Sequence, residues 1–160
     1  MMTSVLSLAV AFSAQAGTTT FKGVVSVDYG NASASWVNGE LVLQYKTVGT
    51  SSLTISDGAV MADVLVVGGG GGGGGSYYNS KSSSNRRYGT GGGGGSVLEK
   101  AELGIAAQKL TITVGDGGAG GALATDQSGT SASQGKAGGV SSVAGSLFGE
   151  IRAYGGGGGS

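Results

Sequence analysis

The sequence predicts an all-β fold, with short antiparallel strands in a sandwich-like arrangement combined with packed polyglycine II helices. Three observations carry this expectation. First, Val64-Leu65-Val66-Val67 runs straight into eight consecutive glycines, and glycine runs recur at 91–95 and at 155–159, the last after Ile151-Arg152-Ala153-Tyr154. Second, short segments rich in β-branched and aromatic residues alternate with Gly, Asn and Asp, the pattern of strands and turns. Third, glycine fills 37 of 160 positions and proline none, yet charged residues are only 11% and apolar residues 39%. Disordered chains combine high charge with low hydrophobicity, so this composition reads as ordered.

Taken in order, the chain opens on an apolar stretch, Val5-Leu6-Ser7-Leu8-Ala9-Val10-Ala11-Phe12, followed by Ala14-Gln15-Ala16. An apolar core before an A-x-A site predicts a secretory signal peptide over 1–16, cleaved after Ala16, although no positive charge precedes it. The alternative is an apolar N-terminal strand or helix that stays in the protein. The stretch is too short to span a bilayer.

Residues 18–30 are rich in Thr, Val, Phe and Tyr and predict one strand ending at a turn. Next, Ala34-Ser35-Trp36-Val37 and Leu41-Val42-Leu43-Gln44-Tyr45 flank Asn38-Gly39-Glu40. Asn-Gly between apolar segments predicts a hairpin, because both residues tolerate positive φ. Leu41, Leu43 and Tyr45 alternate with Val42 and Gln44, which predicts one buried face. Trp36 is expected in the core, with an exposed anchor as the alternative. Residues 52–56, 61–67, 96–103, 109–114 and 147–154 predict further strands, whereas 125–139 predicts a loop or glycine-spaced coil.

A glycine run forms neither a stable helix nor an ordinary core strand, since each glycine costs roughly 0.5–1 kcal/mol relative to alanine. Dense hydrogen bonding between neighbouring runs would offset that cost. Threefold polyproline II-type helices point every N–H and C=O outward, and only glycine lets them pack closely on all sides. Buried backbone groups must be paired, so the runs predict a hydrogen-bonded block, about 25 Å long for eight residues. Gly68, Gly71, Gly75, Gly91, Gly95, Gly155 and Gly159 mark this expected structural block.

The succession Ala62-Asp63-Val64-Leu65-Val66-Val67 into glycines, Leu110-Thr111-Ile112-Thr113-Val114-Gly115-Asp116-Gly117-Gly118, and Ala153-Tyr154 into glycines resembles the glycine-rich domain of secreted bacterial and phage proteins. The likeness covers Glu40 to Ser160. Some members are tail-fibre tip adhesins whose glycine helices pack as a polyglycine type II sandwich. The resemblance implies an ordered, non-enzymatic extracellular domain and leaves open whether it binds a receptor or builds a fibre.

Composition excludes several chemistries. Cysteine and histidine are absent, which removes disulfides, thiolate nucleophiles, His-ligated zinc and Ser-His or Cys-His pairs. Formal net charge is zero, so nothing electrostatic points to nucleic acid or an anionic membrane. The glycines after Val67 match a dinucleotide fingerprint trivially, but no helical period and no acid at the required distance follow. Gly129 to Lys136 is one residue too long for a P-loop, and alanine follows the lysine. Asp116 and Asp126 in glycine-rich coil read as turn residues, since no calcium-binding repeat accompanies them. No cofactor or metal is expected, and no catalytic residues can be assembled.

Residues 76–90 differ in kind: polar, serine-rich, and holding Tyr77, Tyr78, Lys81, Arg86, Arg87 and Tyr88. Tyr and Arg are enriched at binding hot spots. The segment predicts an exposed loop whose Tyr77, Tyr78, Arg86, Arg87 and Tyr88 either make a recognition or subunit contact, with Trp36 as a further candidate, or simply cover the end of the glycine block.

The expected organisation is a β-strand-rich segment over 17–67 and a glycine-rich region over 68–160, together one compact domain. The expected function is a secreted, non-enzymatic structural subunit that self-assembles into a filament or surface layer. Strand pairing and polyglycine backbone bonding would join the copies. The Thr18–Tyr29 strand could be donated to a neighbour's sheet edge, and the glycine run ending at Ser160 could be completed by another copy or belong to a longer protein. The alternative is an adhesin that binds a cell-surface glycan or protein receptor through the 76–90 loop.

Overall fold

The computed structural model describes residues 5–9, 18–21, 25–38, 40–77, 88–124 and 133–160. The chain falls into two units that interleave along the sequence. Unit 1 comprises Met1–Val67, Val97–Val114 and Ser141–Ala153; unit 2 comprises Gly68–Ser96, Gly115–Val140 and Tyr154–Ser160.

Unit 1 is all-β, and no helix occurs among the described residues. Its strands are β1 (Val5–Ala9), β2 (Thr18–Phe21), β3 (Val25–Asp28), β4 (Ser33–Val37), β5 (Glu40–Gln44), β6 (Gly49–Val67), β7 (Val97–Val114), β8 (Ser141–Gly145) and β9 (Gly149–Ala153). Seven of them form one sheet in the order β2-β3-β6-β7-β8-β9, with β1 pairing in parallel along β6. Every other pairing is antiparallel, including the separate two-stranded sheet β4-β5.

The Asn-Gly hairpin forms where the sequence places it. Asn38 takes a positive φ of 51° between β4 and β5, and Trp36 pairs with Leu41. Leu41, Leu43 and Tyr45 are buried, as the period-two alternation requires. They share one apolar cluster with Leu53, Ile55, Val64, Val66, Leu110, Ile112 and Val143, so both sheets feed a single core.

Three expectations about the strands need correction. Residues 18–30 are not one strand, because β2 and β3 fold back on each other with Phe21 opposite Val25. Residues 52–56 and 61–67 are not separate strands; they are the two ends of β6. Likewise 96–103 and 109–114 belong to one strand, β7. In both cases an irregularity in the pairing splits the apolar pattern without breaking the strand. Between Ile55 and Ala59 the register slips, Gly58 takes a φ of +73°, and the buried residues switch from odd to even positions, Leu53 and Ile55 before and Val60 to Val66 after. β7 switches opposite it, from Ile105 to Leu110, keeping Leu53 against Leu110 and Val60 against Ile105. β8 is short and serine-rich, and Ser141, Ser142 and Val143 are all buried.

Trp36 is not a core residue. It is 56% exposed, and Val37 beside it 51%. Among the described residues β4 pairs only with β5, and Ala34 to Val37 are exposed.

Tyr45 ties the start of the fold to its core. Its hydroxyl donates to the Tyr29 carbonyl at 3.1 Å, which also accepts the Ala32 N–H at 3.1 Å. Gly30 follows with a φ of +56°, where a Cβ would stand 2.8 Å from the Ser52 carbonyl oxygen, so no side chain fits this turn.

Candidate functional site

Unit 2 contains five runs, 68–77, 88–96, 115–124, 133–140 and 154–160, that are neither strand nor helix. Backbone hydrogen bonds join them with a repeat of three residues. The first run donates from Gly68, Gly71 and Gly74 to Ser96, Gly93 and Thr90 of the second. Its Gly69, Gly72 and Gly75 donate to Gly139, Lys136 and Ser133 of the fourth. In both pairs the partner number falls as the donor number rises, so the runs are antiparallel.

Two further runs donate to the first. Gly118, Gly121 and Ala124 of the third reach Gly70, Gly73 and Ser76, while Gly156 and Gly159 of the fifth reach Gly69 and Gly72. These two run parallel to it. The outer runs are stitched in sequence: second to fifth through Gly93 to Gly157, fifth to fourth through Gly138 to Gly156, and fourth to third through Lys136 to Ala119. The first run is therefore central, bonded to all four others.

Such spacing leaves no room for side chains on the inner columns. A Cβ on Gly71 would stand 2.0 Å from the Gly157 carbonyl oxygen, and one on Gly72 2.1 Å from that of Ala119. The same obstruction meets Gly75, Gly95, Gly155 and Gly159, at 2.0 to 2.2 Å from Ala122, Gly68, Gly138 and Thr90 oxygens respectively. Gly68 sits in the array through its bond to Ser96. Gly91 differs, since a Cβ there meets nothing within 4 Å. Where the third and fourth runs do carry side chains, glycine still holds every third place: Gly115, Gly118 and Gly121, then Gly135 and Gly138. Of the two alternatives for 125–139, a loop or a glycine-spaced coil, residues 133–139 take the second, with Ser, Gln, Lys and Ala filling the places beside the glycines.

Two of the aromatic candidates, Tyr77 and Tyr88, lie at one end of this array. Tyr77 is half-buried and forms a parallel bridge to Ala124, joining the ends of the first and third runs. Tyr88, at the start of the second run, is 79% exposed. Tyr78, Arg86 and Arg87 lie outside the described residues. Trp36 belongs to the other unit. The hydroxyl of Thr90 bonds to Ser160 and takes its N–H at 2.8 Å, securing the second run against the fifth at its last residue.

Two groups of unit 1, Tyr45 and Glu150, have shifted pKa values. Burial, and secondarily the charge of Asp28, pushes the Tyr45 phenol far above its ordinary value. The exposed Glu150 carboxyl is lowered chiefly by its bond to Arg152. Among the described residues no cluster of three or more Asp or Glu side chains could hold a metal. No helix among them is long and apolar enough to cross a membrane.

A family model described as a glycine-rich domain matches residues 46–160. None of the curated proteins and none of the solved structures matches the chain.

Proposed function

The chain belongs to the glycine-rich domain family, and on that premise we propose that it is a secreted, non-enzymatic structural subunit that self-assembles into a filament or surface layer. The observation that carries this reading is the three-residue hydrogen-bond repeat among five runs. Three residues per turn, no internal hydrogen bonds and outward N–H and C=O groups define a polyglycine II helix. We therefore read the runs as five such helices, packed as a block.

A block of this kind is a stiff material rather than a reaction vessel. Its interior is backbone, with no side chains to arrange as acid, base or nucleophile. It is also open to extension, because any further threefold glycine helix can bond to its outer face with the bonds already used inside. In this reading strand pairing is the second mode of joining copies. Among the described residues the hairpin β2-β3 meets β6 through two paired positions, Val27 with Ile55 and Asp28 with Thr54, so little ladder has to be given up to transfer it to a neighbour's sheet edge.

A second reading, receptor binding, is favoured by a separate observation. The bridge Tyr77 to Ala124 and the bonds Gly74 to Thr90 and Gly75 to Ser133 bring the exits and returns of segments 78–87 and 125–132 to one end of the array. These are the side-chain-rich insertions of the glycine region, with Tyr78, Arg86 and Arg87 in the first.

Light scattering and negative-stain imaging over a dilution series separate the readings. Regular multimers that persist on dilution are the expected result. A compact monomer at every concentration removes the structural subunit and leaves the insertions as the site to probe with glycans and surface proteins.

A further inference from the structure

A threefold helix offers its N–H groups in three directions and its C=O groups in three more. The central run uses four of these six. Its N–H groups reach the second and fourth runs, and its C=O groups accept from the third and fifth. Two columns remain. Among the described residues the N–H groups of Gly70 and Gly73 donate to no backbone carbonyl, and no backbone N–H reaches the carbonyls of Gly68, Gly71 and Gly74, whose oxygens lie beside Gly95, Gly92 and Gly89 of the second run.

The four outer runs are bonded in the succession third, fourth, fifth, second. With each also bonded to the centre, they wrap one side of the central run, and among the described residues the side between the second and third runs is left open. Gly70, Gly117 and Gly120 are exposed and Gly73 half-exposed on that open side. A Cβ on Gly70, Gly117 or Gly120 would stand 3.9, 3.8 or 3.7 Å from its nearest neighbour, and on Gly73 3.4 Å. Side chains would fit at these places, yet all four residues are glycine. Elsewhere in the unit the outward places are mixed: the fourth run carries Gln134, Lys136 and Ala137 there, while Gly91, Gly94 and Gly157 are bare, with nothing within 4 Å of a Cβ. Packing inside one chain requires the inner glycines. It does not require these.

We propose that this bare face is the interface between copies, and that the central run of one copy bonds there to a glycine run of a second. The proposal rests on the self-assembly reading and names its surface. Chemistry selects the occupant. The face offers one unpaired donor column and one unpaired acceptor column, each repeating every three residues, which is about 9.3 Å along the helix. A second glycine run of this protein presents the same repeat in both donors and acceptors. A glycan or a folded protein surface has neither that repeat nor the flatness to reach a backbone without side chains. Two copies meeting through this face would complete the six-neighbour packing of each central run.

The test is the variant carrying Gly70→Leu and Gly117→Leu, with Gly157→Leu as control. Gly157 lies in the fifth run, and a Cβ there meets nothing within 4 Å. Far-UV circular dichroism and the thermal transition establish that each variant folds as the parent does. The expected result is a parent and a control that form multimers and a double variant that stays monomeric over the same dilution series. A folded double variant that assembles like the parent overturns the interface while leaving self-assembly standing. So does loss of assembly in the control alone. A parent that is monomeric throughout removes both proposals together. Amide exchange on the unmodified protein gives an independent reading: Gly70 and Gly73 amides become protected on assembly, and assembly without that protection overturns the interface.

Discussion

The backbone N–H of Glu102 donates to Oδ1 of Asp63 at 2.8 Å across the point where β7 carries one residue more than β6. Ala62 pairs with Leu103 and Val64 with Lys100, so Asp63 alone faces Ala101 and Glu102. Glu102 takes a φ of +53° to accommodate the extra residue. A bulge leaves a backbone group without its ladder partner, and the Asp63 carboxylate supplies the missing acceptor. Beyond the bulge, residues 97–102 of β7 are all exposed, while Val64 and Val66 opposite them are buried.

Opposite effects follow for the two partners. Asp63→Ala removes the acceptor and lowers stability by about 1 kcal/mol. Glu102→Gly relieves the left-handed backbone and raises stability by about 1 kcal/mol. Urea midpoints at constant m-value check both. Destabilisation by Glu102→Gly would mean that the bulge is not formed in solution.

Glycine-to-alanine changes in unit 2 divide by column. Gly72→Ala drives a methyl to 2.1 Å from the Ala119 oxygen, in a block where that carbonyl already accepts the Lys136 N–H. Backbone cannot swing aside as a side chain can, so the expected outcome is loss of the thermal transition of the array. Gly94→Ala meets nothing within 4 Å, and it stabilises by about 0.4–1 kcal/mol through the less flexible unfolded chain. Equal melting temperatures for the two variants would contradict the tight packing of the runs.

Tyr45 makes stability depend on alkaline pH. Its phenol is pushed up in the folded state, first by burial and then by Asp28. The folded protein therefore holds this proton more tightly than the unfolded chain, whose tyrosines titrate near pH 10. The contribution is complete below about pH 10 and is lost as pH rises from there toward the folded value. Tyr45→Phe should cost about 0.5–1 kcal/mol at neutral pH, at the low end because the Tyr29 carbonyl keeps its bond from Ala32. Urea titrations from pH 8 to pH 11, bounding the range of about pH 10 where tyrosine ionises, should show a steeper loss for the parent than for the variant.

Much of the fold was legible where local chemistry and tertiary packing agree. The Asn38 turn, the Leu41, Leu43 and Tyr45 face, and the obstruction at Gly71 and Gly95 each follow from a short pattern. What escaped depends on partners far along the chain. Nothing near Asp57-Gly58 or Asp63 says that the strand continues through an irregularity, because the partners that hold it, Gln108 and Leu103, lie far along the chain. Ser141 and Ser142 look polar, yet they are buried because β8 sits between β7 and β9. In the array, the individual glycines of 133–140 are unremarked by local propensity. Only their spacing of three, matched to that of 115–121, marks them as a run that packs. Which glycines are free of any packing demand, such as Gly70 and Gly117, no sequence period could separate from those that are not.

Trp36 and Leu43 supply the last test, because adjacent strands place them in opposite environments. Trp36, the one tryptophan, stands 56% exposed on β4, while Leu43 on β5 is fully buried. Leu43→Ala opens a cavity in the cluster shared by both sheets and should cost about 2–5 kcal/mol. Trp36→Ser, at a half-exposed site, should cost clearly less than Leu43→Ala. In the parent at dilution, iodide should quench Trp36 nearly as well in the folded protein as in urea, since water already reaches the indole. A strongly protected indole in the dilute monomer would place Trp36 back in the core and contradict the exposure of this end of β4.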